Sequence, residues 1–219
     1  MINDIETWIF DLDNTLYSVS DEMHGQIDDL LGGFVSEFLK VDRIQARTIQ
    51  KAYFKEFGLT LRGLMVNHDL DPEVYFDYMT REELYDMEPD PGLSSALARL
   101  PGRKIVYTNA PGRHAELALT RLGLSDHFEA VYDIQAAGFV PKPAIGAYSE
   151  LCRLHGIDPA KAVMVDDIIT NLEPAAKLGM TTVWMKTSAE WAQDIEVADY
   201  VDHVTQDLAG WIDGLLAGV

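Results

Sequence analysis

Short runs of apolar residues alternate along this chain with longer segments in which apolar residues recur at helical spacing. The runs are Thr7–Phe10, Lys104–Tyr107, Ala130–Tyr132, Ala162–Val165 and Thr181–Met185. Their β-branched and aromatic content predicts buried strands. The segments 113–122, 144–155 and 171–178 each end before a glycine that an apolar residue follows, which is typical of a helix terminus. Strands alternating with helices predict an α/β protein, a parallel sheet with helices on both faces.

Residues 18–90 break this alternation. Apolar residues recur at helical spacing from Met23 to Leu39 and again from Ile44 to Phe57, and Glu73–Met79 favours a further short helix. Thr60–His68 is interpreted as a polar-rich break between helices, and the Pro-rich residues 88–92 as a hinge. The pattern therefore predicts an all-helical domain over 18–90, inserted into a core formed by 1–17 and 91–219.

Composition places the chain among folded globular proteins, because 47% of its 219 residues are hydrophobic. Its single cysteine, Cys152, excludes an internal disulfide and favours a reducing compartment, where we expect it to be a small apolar filler. We find no signal-peptide pattern and no apolar run near the roughly 20 residues that span a bilayer. These features predict a soluble, cytoplasmic protein without a membrane partner, and they leave the oligomeric state open.

The formal net charge of −19 argues against a nucleic acid as partner, because such binding depends on Lys and Arg contacts to phosphates. Its plainest interpretation is a solvated, self-repelling surface. It does not exclude a small phosphorylated metabolite, because a few local cations or a bound metal ion can invert the field inside one pocket.

Polar residues stand just after four of the predicted strands. In chain order they are Asp11 and Asp13, then Thr108 and Asn109, then Lys142, and finally Asp166 and Asp167. Ligands of an open parallel sheet bind beyond the carboxyl ends of its strands, so we expect these residues at one edge. Each has a plainer interpretation, as a turn, a helix cap or a surface lysine. Their joint occurrence at four strand ends favours a single site.

The chemistry of this set suits phosphate and a metal ion. Side chains two residues apart in an extended segment share a face, so Asp11 and Asp13 can both enter one site. Together with the later Asp pair they concentrate negative charge, which is costly without compensation. Mg²⁺ compensates it, since this ion binds carboxylates together with substrate phosphate. Lys142 adds a fixed cation, and Thr108 adds a hydroxyl for a phosphate oxygen.

These motifs resemble those of the haloacid-dehalogenase-like hydrolase superfamily. The matching residues are Asp11–Leu16 (DLDNTL), Thr108–Asn109, Lys142 and Asp166–Asp167, in the family's order. The resemblance implies a Rossmann-like core with a helical cap inserted after the first strand. A narrower resemblance, to the pyrimidine 5′-nucleotidase branch, lies in Asp11–Tyr17, Thr60–Met65, Leu100–Lys104, Ala136–Pro143 and Asn171–Met180. It implies a phosphatase of pyrimidine nucleoside 5′-monophosphates.

The resemblance also implies roles for the core residues. Asp11 attacks phosphorus and forms an aspartyl-phosphate. Asp13, neutral when attack begins, protonates the leaving group and later accepts a proton from water. Mg²⁺ is held by the Asp11 carboxylate, the Asp13 carbonyl and Asp167. Asp166 binds it directly or through water.

Substrate-binding residues are expected in both domains. In the core, Thr108 and Lys142, with backbone N–H groups near Asn14, hold the phosphate oxygens, and Asn109 belongs to the same binding set. In the cap, Arg62 and His68 are candidates for contacts with the leaving group, although the residues alone favour a surface or helix-capping role for each.

Other functions remain open from the sequence. A sugar-phosphate phosphatase or phosphomutase of the same superfamily would share the core motifs. A dehalogenase needs no acid two residues after its nucleophile, so Asp13 argues against it. In a phosphoreceiver signalling domain the acidic pair precedes the phosphorylated Asp, whereas here Asp166 and Asp167 come last. A catalytically silent binding protein would not need the intact motif residues.

Overall fold

The computed structural model describes residues 4–79, 87–187 and 195–218. The chain forms two compact units, one made of Met1–Ser18 with Met87–Val219 and the other of Val19–Asp86. The second unit is therefore an insertion into the first. Among the helices of the described ranges, none has the length and apolar character needed to cross a membrane.

In its described residues, the inserted unit consists of the helices α1 (Asp21–Leu39), α2 (Arg43–Phe57), α3 (Thr60–His68) and α4 (Pro72–Met79). Side-chain caps fix two of the starts, since Ser20 accepts from the Met23 N–H and Asp42 from the Gln45 N–H. The interpretation of Thr60–His68 as a break was wrong, because these residues form α3. Leu61 and Leu64 are buried on one side of this helix, and Gly63 allows close contact with Tyr53 of α2.

The other unit is built on one sheet of six parallel strands. The strands are β1 (Thr7–Phe10), β2 (Arg103–Tyr107), β3 (Ala130–Tyr132), β4 (Ala162–Asp166), β5 (Thr181–Met185) and β6 (His203–Thr205). Five of them match the predicted strands to within one residue. The sixth, β6, is short and partly exposed, so that no apolar run announces it. The predicted α/β, Rossmann-like fold class is confirmed.

The strand order β3-β2-β1-β4-β5-β6 places the topological switch between β1 and β4. The chain extends the sheet from β1 through β2 to β3, and it then crosses back to lay β4 on the other side of β1. At such a point the connections leave in opposite directions and open a crevice beyond the carboxyl ends of the strands. Asp11 and Asp166 stand at the ends of these two strands.

In its described residues, this unit has the α-helices α5 (Pro91–Arg99), α6 (Gly112–Leu122), α7 (Ile145–His155), α8 (Ile169–Leu178) and α9 (Leu208–Ala217). The predicted glycine termini are present, since Gly123, Gly156 and Gly179 have φ values of 68°, 61° and 96°. The predicted hinge at 88–92 is only partly correct. Pro91 and Gly92 begin α5, and the Asp90 side chain caps it by accepting from the Leu93 N–H at 2.9 Å.

Large side chains fill the space between the sheet and its helices. Trp184, Tyr107 and Tyr148 are fully buried in one cluster with residues of α7 and α8. Tyr107 meets the ring of Tyr132 at 5.3 Å and that of Tyr148 at 5.0 Å, both edge to face. This rigid aromatic layer lies next to the residues that follow β2, because Tyr107 is the last residue of that strand.

Candidate active site

Asp11 is held at the switch point by the turn that follows β1. Its backbone N–H donates to the Val165 carbonyl at 2.8 Å, which continues the ladder to β4 for one more residue. The chain then turns sharply, with the N–H of Leu16 donating to the Leu12 carbonyl at 2.9 Å. Asn14 takes a left-handed conformation (φ 60°), which asparagine tolerates better than most residues. The turn leaves Asp11 buried, with Thr15 donating to Oδ2 at 3.4 Å.

Lys142 lies between two of the carboxylates. Its Nζ donates to Asp11 Oδ1 at 2.7 Å, to Asp166 Oδ2 at 2.6 Å and to the Tyr107 carbonyl at 3.0 Å. An ammonium group has three donors, so this geometry uses all of them. Burial alone would lower the pKa of Lys142, but the two carboxylates outweigh it and raise the pKa above its ordinary value. Lys142 is therefore a permanent, oriented cation.

Asn109 fixes the backbone of Lys142 rather than its side chain. The Lys142 N–H donates to Asn109 Oδ1 at 2.8 Å, and Asn109 Nδ2 donates to the Lys142 carbonyl at 3.3 Å. The loop that carries the lysine is thus tied to the end of β2. A substrate contact by Asn109 stays a prediction.

The two consecutive aspartates after β4 have different surroundings. Asp166 Oδ1 accepts from the Ile168 N–H and from Asn171 Nδ2, both at 2.9 Å, while Oδ2 accepts from Lys142. Both oxygens of Asp166 are therefore engaged with protein donors. The carboxyl group of Asp167 instead faces Asp11, and its backbone carbonyl accepts from Trp184 Nε1 at 2.8 Å.

Asp11, Asp166 and Asp167 form a buried acidic cluster, with one carboxylate oxygen of each within 4.8 Å of the others. Burial raises the pKa of Asp167 to about 9, and the neighbouring carboxylates add to the effect. Burial also raises the pKa of Asp11 to about 7, despite the opposing charge of Lys142. One lysine thus does not compensate the cluster. An oxygen donor set of this charge fits a hard divalent cation.

Thr108 is buried directly after β2, and its Oγ1 accepts from the Ala110 N–H at 2.9 Å. In this bond the oxygen accepts, so the hydroxyl hydrogen is not consumed by it. The bond fixes the side chain at the carboxyl end of β2, where the sequence analysis predicted it.

Asp13 has two partners that the sequence analysis missed. Tyr17 donates its hydroxyl to Asp13 Oδ1, and His114 Nε2 lies 3.0 Å from the same oxygen. Burial tends to raise the pKa of Asp13, but the bonds from His114 and Tyr17 and the charges of His114 and Lys142 outweigh it and lower the pKa. In the free site Asp13 is therefore a carboxylate. The neutral state expected for a proton donor requires proton uptake when the substrate enters.

The two candidates from the inserted unit lie on α3. His68 Nε2 is 2.7 Å from the hydroxyl of Tyr53 on α2, so this histidine has a partner within its own unit. Arg62 is half-buried on the same helix. A contact of either residue with substrate stays a prediction.

Comparisons with known proteins agree with the fold. Residues 5–179 match the model of the haloacid dehalogenase-like hydrolase family, and the chain belongs to that family. "Phosphate metabolism protein 8" of Saccharomyces cerevisiae is 27% identical over 80% of this chain and 60% of its own length. The chain thus spans about three fifths of that relative. The "Glyceraldehyde 3-phosphate phosphatase" of Pyrococcus furiosus is 25% identical over 93% of this chain and 90% of its own length.

Solved structures with the same fold include different activities. A HAD phosphatase from Thermococcus onnurineus has a TM-score of 0.65 at 19% identity and covers 98% of this chain and 99% of its own. The L-2-haloacid dehalogenase of Xanthobacter autotrophicus has a TM-score of 0.60 at 15% identity, with 98% and 100% covered. At these identities the similarity establishes the fold, and the reaction has to be argued from the site.

Proposed function

We propose that this chain is a Mg²⁺-dependent phosphomonoester hydrolase that acts on a small phosphorylated metabolite with Asp11 as its nucleophile. The observation that carries the proposal is the position of Lys142, whose buried ammonium joins Asp11 to Asp166 while Asp167 stands beside Asp11. A reaction at a dianionic phosphate needs this combination, because the nucleophile and its substrate are both negative. The similarity to a phosphatase, the glyceraldehyde 3-phosphate phosphatase of Pyrococcus furiosus, supports it.

The reaction has two displacements at phosphorus. In the first, an oxygen of Asp11 forms a bond to phosphorus, and the bond from phosphorus to the ester oxygen breaks with its electron pair. The leaving oxygen takes the proton of Asp13 and departs as an alcohol. In the second, Asp13 accepts a proton from water while the water oxygen bonds to phosphorus. Inorganic phosphate leaves, and the carboxylate of Asp11 is restored.

The remaining residues bind phosphate and metal. The Thr108 hydroxyl and backbone N–H groups near Asn14 hold the phosphate oxygens, and Lys142 joins them by exchanging one of its three hydrogen bonds within the protein for a phosphate oxygen. Asp11, Asp167 and the Asp13 backbone carbonyl would hold Mg²⁺. Asp166 holds Lys142 in place and would contact the metal through water. When bound, Mg²⁺ supplies positive charge that reduces the repulsion between Asp11 and the phosphate.

For the substrate we propose a pyrimidine nucleoside 5′-monophosphate, on the strength of the five stretches that resemble the pyrimidine 5′-nucleotidase branch. A sugar phosphate or a triose phosphate is the second candidate. The glyceraldehyde 3-phosphate phosphatase of Pyrococcus furiosus, matched over 90% of its length, acts on such a substrate. We propose further that the inserted unit acts as a cap, with Arg62 and His68 contacting the leaving group. Dehalogenation is disfavoured, because Asp13 supplies an acid that this reaction does not need.

A substrate panel tests the proposal. Release of inorganic phosphate would be measured from UMP, CMP, AMP, glucose 6-phosphate and glyceraldehyde 3-phosphate, with MgCl₂ or with EDTA. Wild-type protein would be compared with Asp11→Asn. We expect Mg²⁺-dependent release, fastest for UMP or CMP, and its loss in the variant.

Each other outcome has a definite meaning. Release with a preference for sugar phosphates would replace the substrate and keep the mechanism. A phosphoprotein that forms and does not turn over would favour a signalling role. Full activity of Asp11→Asn, or full activity in EDTA after metal removal, would refute the mechanism.

A further inference from the structure

Two side chains from separate parts of the first unit converge on Asp13. Tyr17 lies four residues after it, whereas His114 is 101 residues away in the first turn of α6. Both bonds end on Oδ1, and Tyr17 Oη is itself 3.4 Å from His114 Nε2. The three groups thus form a closed triangle around one carboxylate oxygen, and Oδ2 accepts neither bond.

The backbone of both donors is fixed. Tyr17 forms a β-bridge with Asp13, which keeps the two ends of the nucleophile turn side by side. The start of α6 is tied to Asp133, whose Oδ2 accepts from the Gly112 N–H at 2.6 Å and whose Oδ1 accepts from the Ala136 N–H at 2.7 Å. A Cβ at position 112 would lie 2.6 Å from Asp133 Oδ2, so a side chain there would displace this carboxylate from its two bonds. His114 therefore approaches Asp13 from a rigid support.

The exposures of the two partners differ in a useful way. The Asp13 side chain keeps 36% of its surface exposed, whereas that of His114 keeps 17%. Asp13 can thus meet a ligand, while its histidine partner is largely covered. A carboxyl group held at one oxygen can rotate little, and its other oxygen then keeps a constant direction.

We propose that His114, assisted by Tyr17, is a positioning residue that orients Asp13 for proton transfer to the leaving oxygen. The proposal rests on the proposed phosphatase function and adds a residue outside the four motifs. His114 acts through Asp13 and does not touch the reacting atoms. Because misplacement of a catalytic group by about 1 Å can cost about 100-fold in rate, loss of one support should be measurable.

The test compares two leaving groups. Alkyl esters such as UMP depart as alkoxides that need a proton, whereas 4-nitrophenyl phosphate releases a stable anion that does not. The value of kcat/KM reports steps up to departure of the leaving group, so it isolates the step in which Asp13 is an acid. Glucose 6-phosphate replaces UMP if UMP is not turned over.

We expect His114→Ala to lower kcat/KM for the alkyl ester by about 10-fold to 100-fold, and to leave that for 4-nitrophenyl phosphate within about 3-fold. His114→Gln, whose amide Nε2 can replace the ring nitrogen, should recover part of the loss. In an Asp13→Asn background, His114→Ala should cause no further loss, because a residue that acts only through Asp13 cannot act without it. His127 is a matched control: it is also partly buried with one side-chain partner, Ser94 at 2.8 Å, and His127→Ala should retain both activities.

Two results would overturn the proposal: an equal loss of kcat/KM on both esters, or an undiminished loss in the Asp13→Asn background. If His114→Ala does not fold, Tyr17→Phe and His114→Gln are compared on the two esters instead. An equal loss of kcat/KM on both esters in both variants would likewise overturn the proposal. Failure of the proposed function is distinguishable, since wild-type protein would then hydrolyse neither ester or Asp11→Asn would keep its activity.

Discussion

At the scale of single residues, the site depends on one buried cation shared between two carboxylates. Lys142 has only 3% of its surface exposed, and all three of its donors are used within the protein. Among the hydrogen bonds described above, Lys142 is the one cationic donor to Asp11 and to Asp166. We therefore expect the lysine to serve stability and catalysis together, because it offsets buried negative charge in the free site and would exchange one of these bonds for a phosphate oxygen of the substrate.

Lys142→Met tests this dual role. Removal of one partner of a buried ion pair leaves an uncompensated charge, so we expect the free energy of unfolding to fall by about 3 kcal/mol. The rate of phosphate release should fall by about 100-fold to 1,000-fold, the usual cost of losing one preorganised donor. Urea denaturation measures the first effect, and initial rates with saturating MgCl₂ measure the second.

Lys161→Met is the matched control. Lys161 also pairs with a carboxylate, Glu6 at 2.6 Å, but both side chains are about half exposed. Solvent screens such a pair, so its loss should leave both the free energy of unfolding and the activity nearly unchanged. Similar losses of stability in the two variants would show that the buried pairs of Lys142 contribute no more than a surface pair.

The sequence predicts part of this site and misses another part for a physical reason. Asp11, Thr108, Lys142 and Asp166 each follow a predicted strand, and a parallel sheet brings strand ends together. The contact of His114 with Asp13 depends on where α6 begins and on how the turn after β1 curls. No periodicity encodes either. The bonds between Asn109 and the Lys142 backbone were missed for the same reason, since they join two loops.

At the scale of elements, strongly buried strands can be predicted from the sequence, whereas a helix that forms through packing against its local preference cannot. The five predicted strands are continuous apolar runs, so their positions needed only burial. Helix α3 was interpreted as a break because Thr60–His68 is rich in polar residues, and Thr60, Gly63 and Asn67 are indeed weak helix formers. Its contacts with α2 stabilise it, and at Gly63 the absence of a side chain leaves room for the ring of Tyr53.

Gly63→Ala and Gly25→Ala form a matched pair that tests this packing. Alanine in a helix interior is worth about 1 kcal/mol more than glycine, so both changes favour the helix locally. At Gly25, on α1, a Cβ would meet nothing within 4 Å, and we expect a gain in stability. At Gly63 a Cβ would overlap Cβ and Cγ of Tyr53, which cannot swing away freely. Overpacking of this kind costs about 1–3 kcal/mol, so we expect a net loss.

Thermal unfolding monitored by circular dichroism distinguishes the two variants. Gly25→Ala should melt at or above the temperature of the wild-type protein, and Gly63→Ala below it. If both variants gain stability, α2 and α3 do not pack as closely as described, and the contact of Gly63 with Tyr53 is not what stabilises α3.

At the scale of the whole molecule, the chain has a net charge of −19, and its acidic cluster is buried at the carboxyl ends of β1 and β4. The surrounding charge gives no help to the carboxylates, and it also repels an anionic substrate at long range. We therefore expect the positive charge at the site to come from Lys142 and from a cation bound at the acidic cluster. This requirement links metal binding to protonation, because the cation and protons compete for the same oxygens.

We expect the stabilisation by Mg²⁺ to increase with pH. Without metal, the folded-state pKa values of Asp11 (about 7) and Asp167 (about 9) lie above those of exposed aspartates, so the folded state holds more protons than the unfolded state. These two groups therefore destabilise the metal-free fold progressively as the pH rises from about 4 through 9. Mg²⁺ displaces the protons, so the shift in melting temperature on adding MgCl₂ should be larger at pH 8.5 than at pH 6.

Asp167→Asn removes the group with the higher pKa. The variant should raise the melting temperature of the metal-free protein at pH 8.5 and nearly abolish the Mg²⁺ shift. An equal Mg²⁺ shift at both pH values, or a full shift in Asp167→Asn, would contradict binding at this cluster.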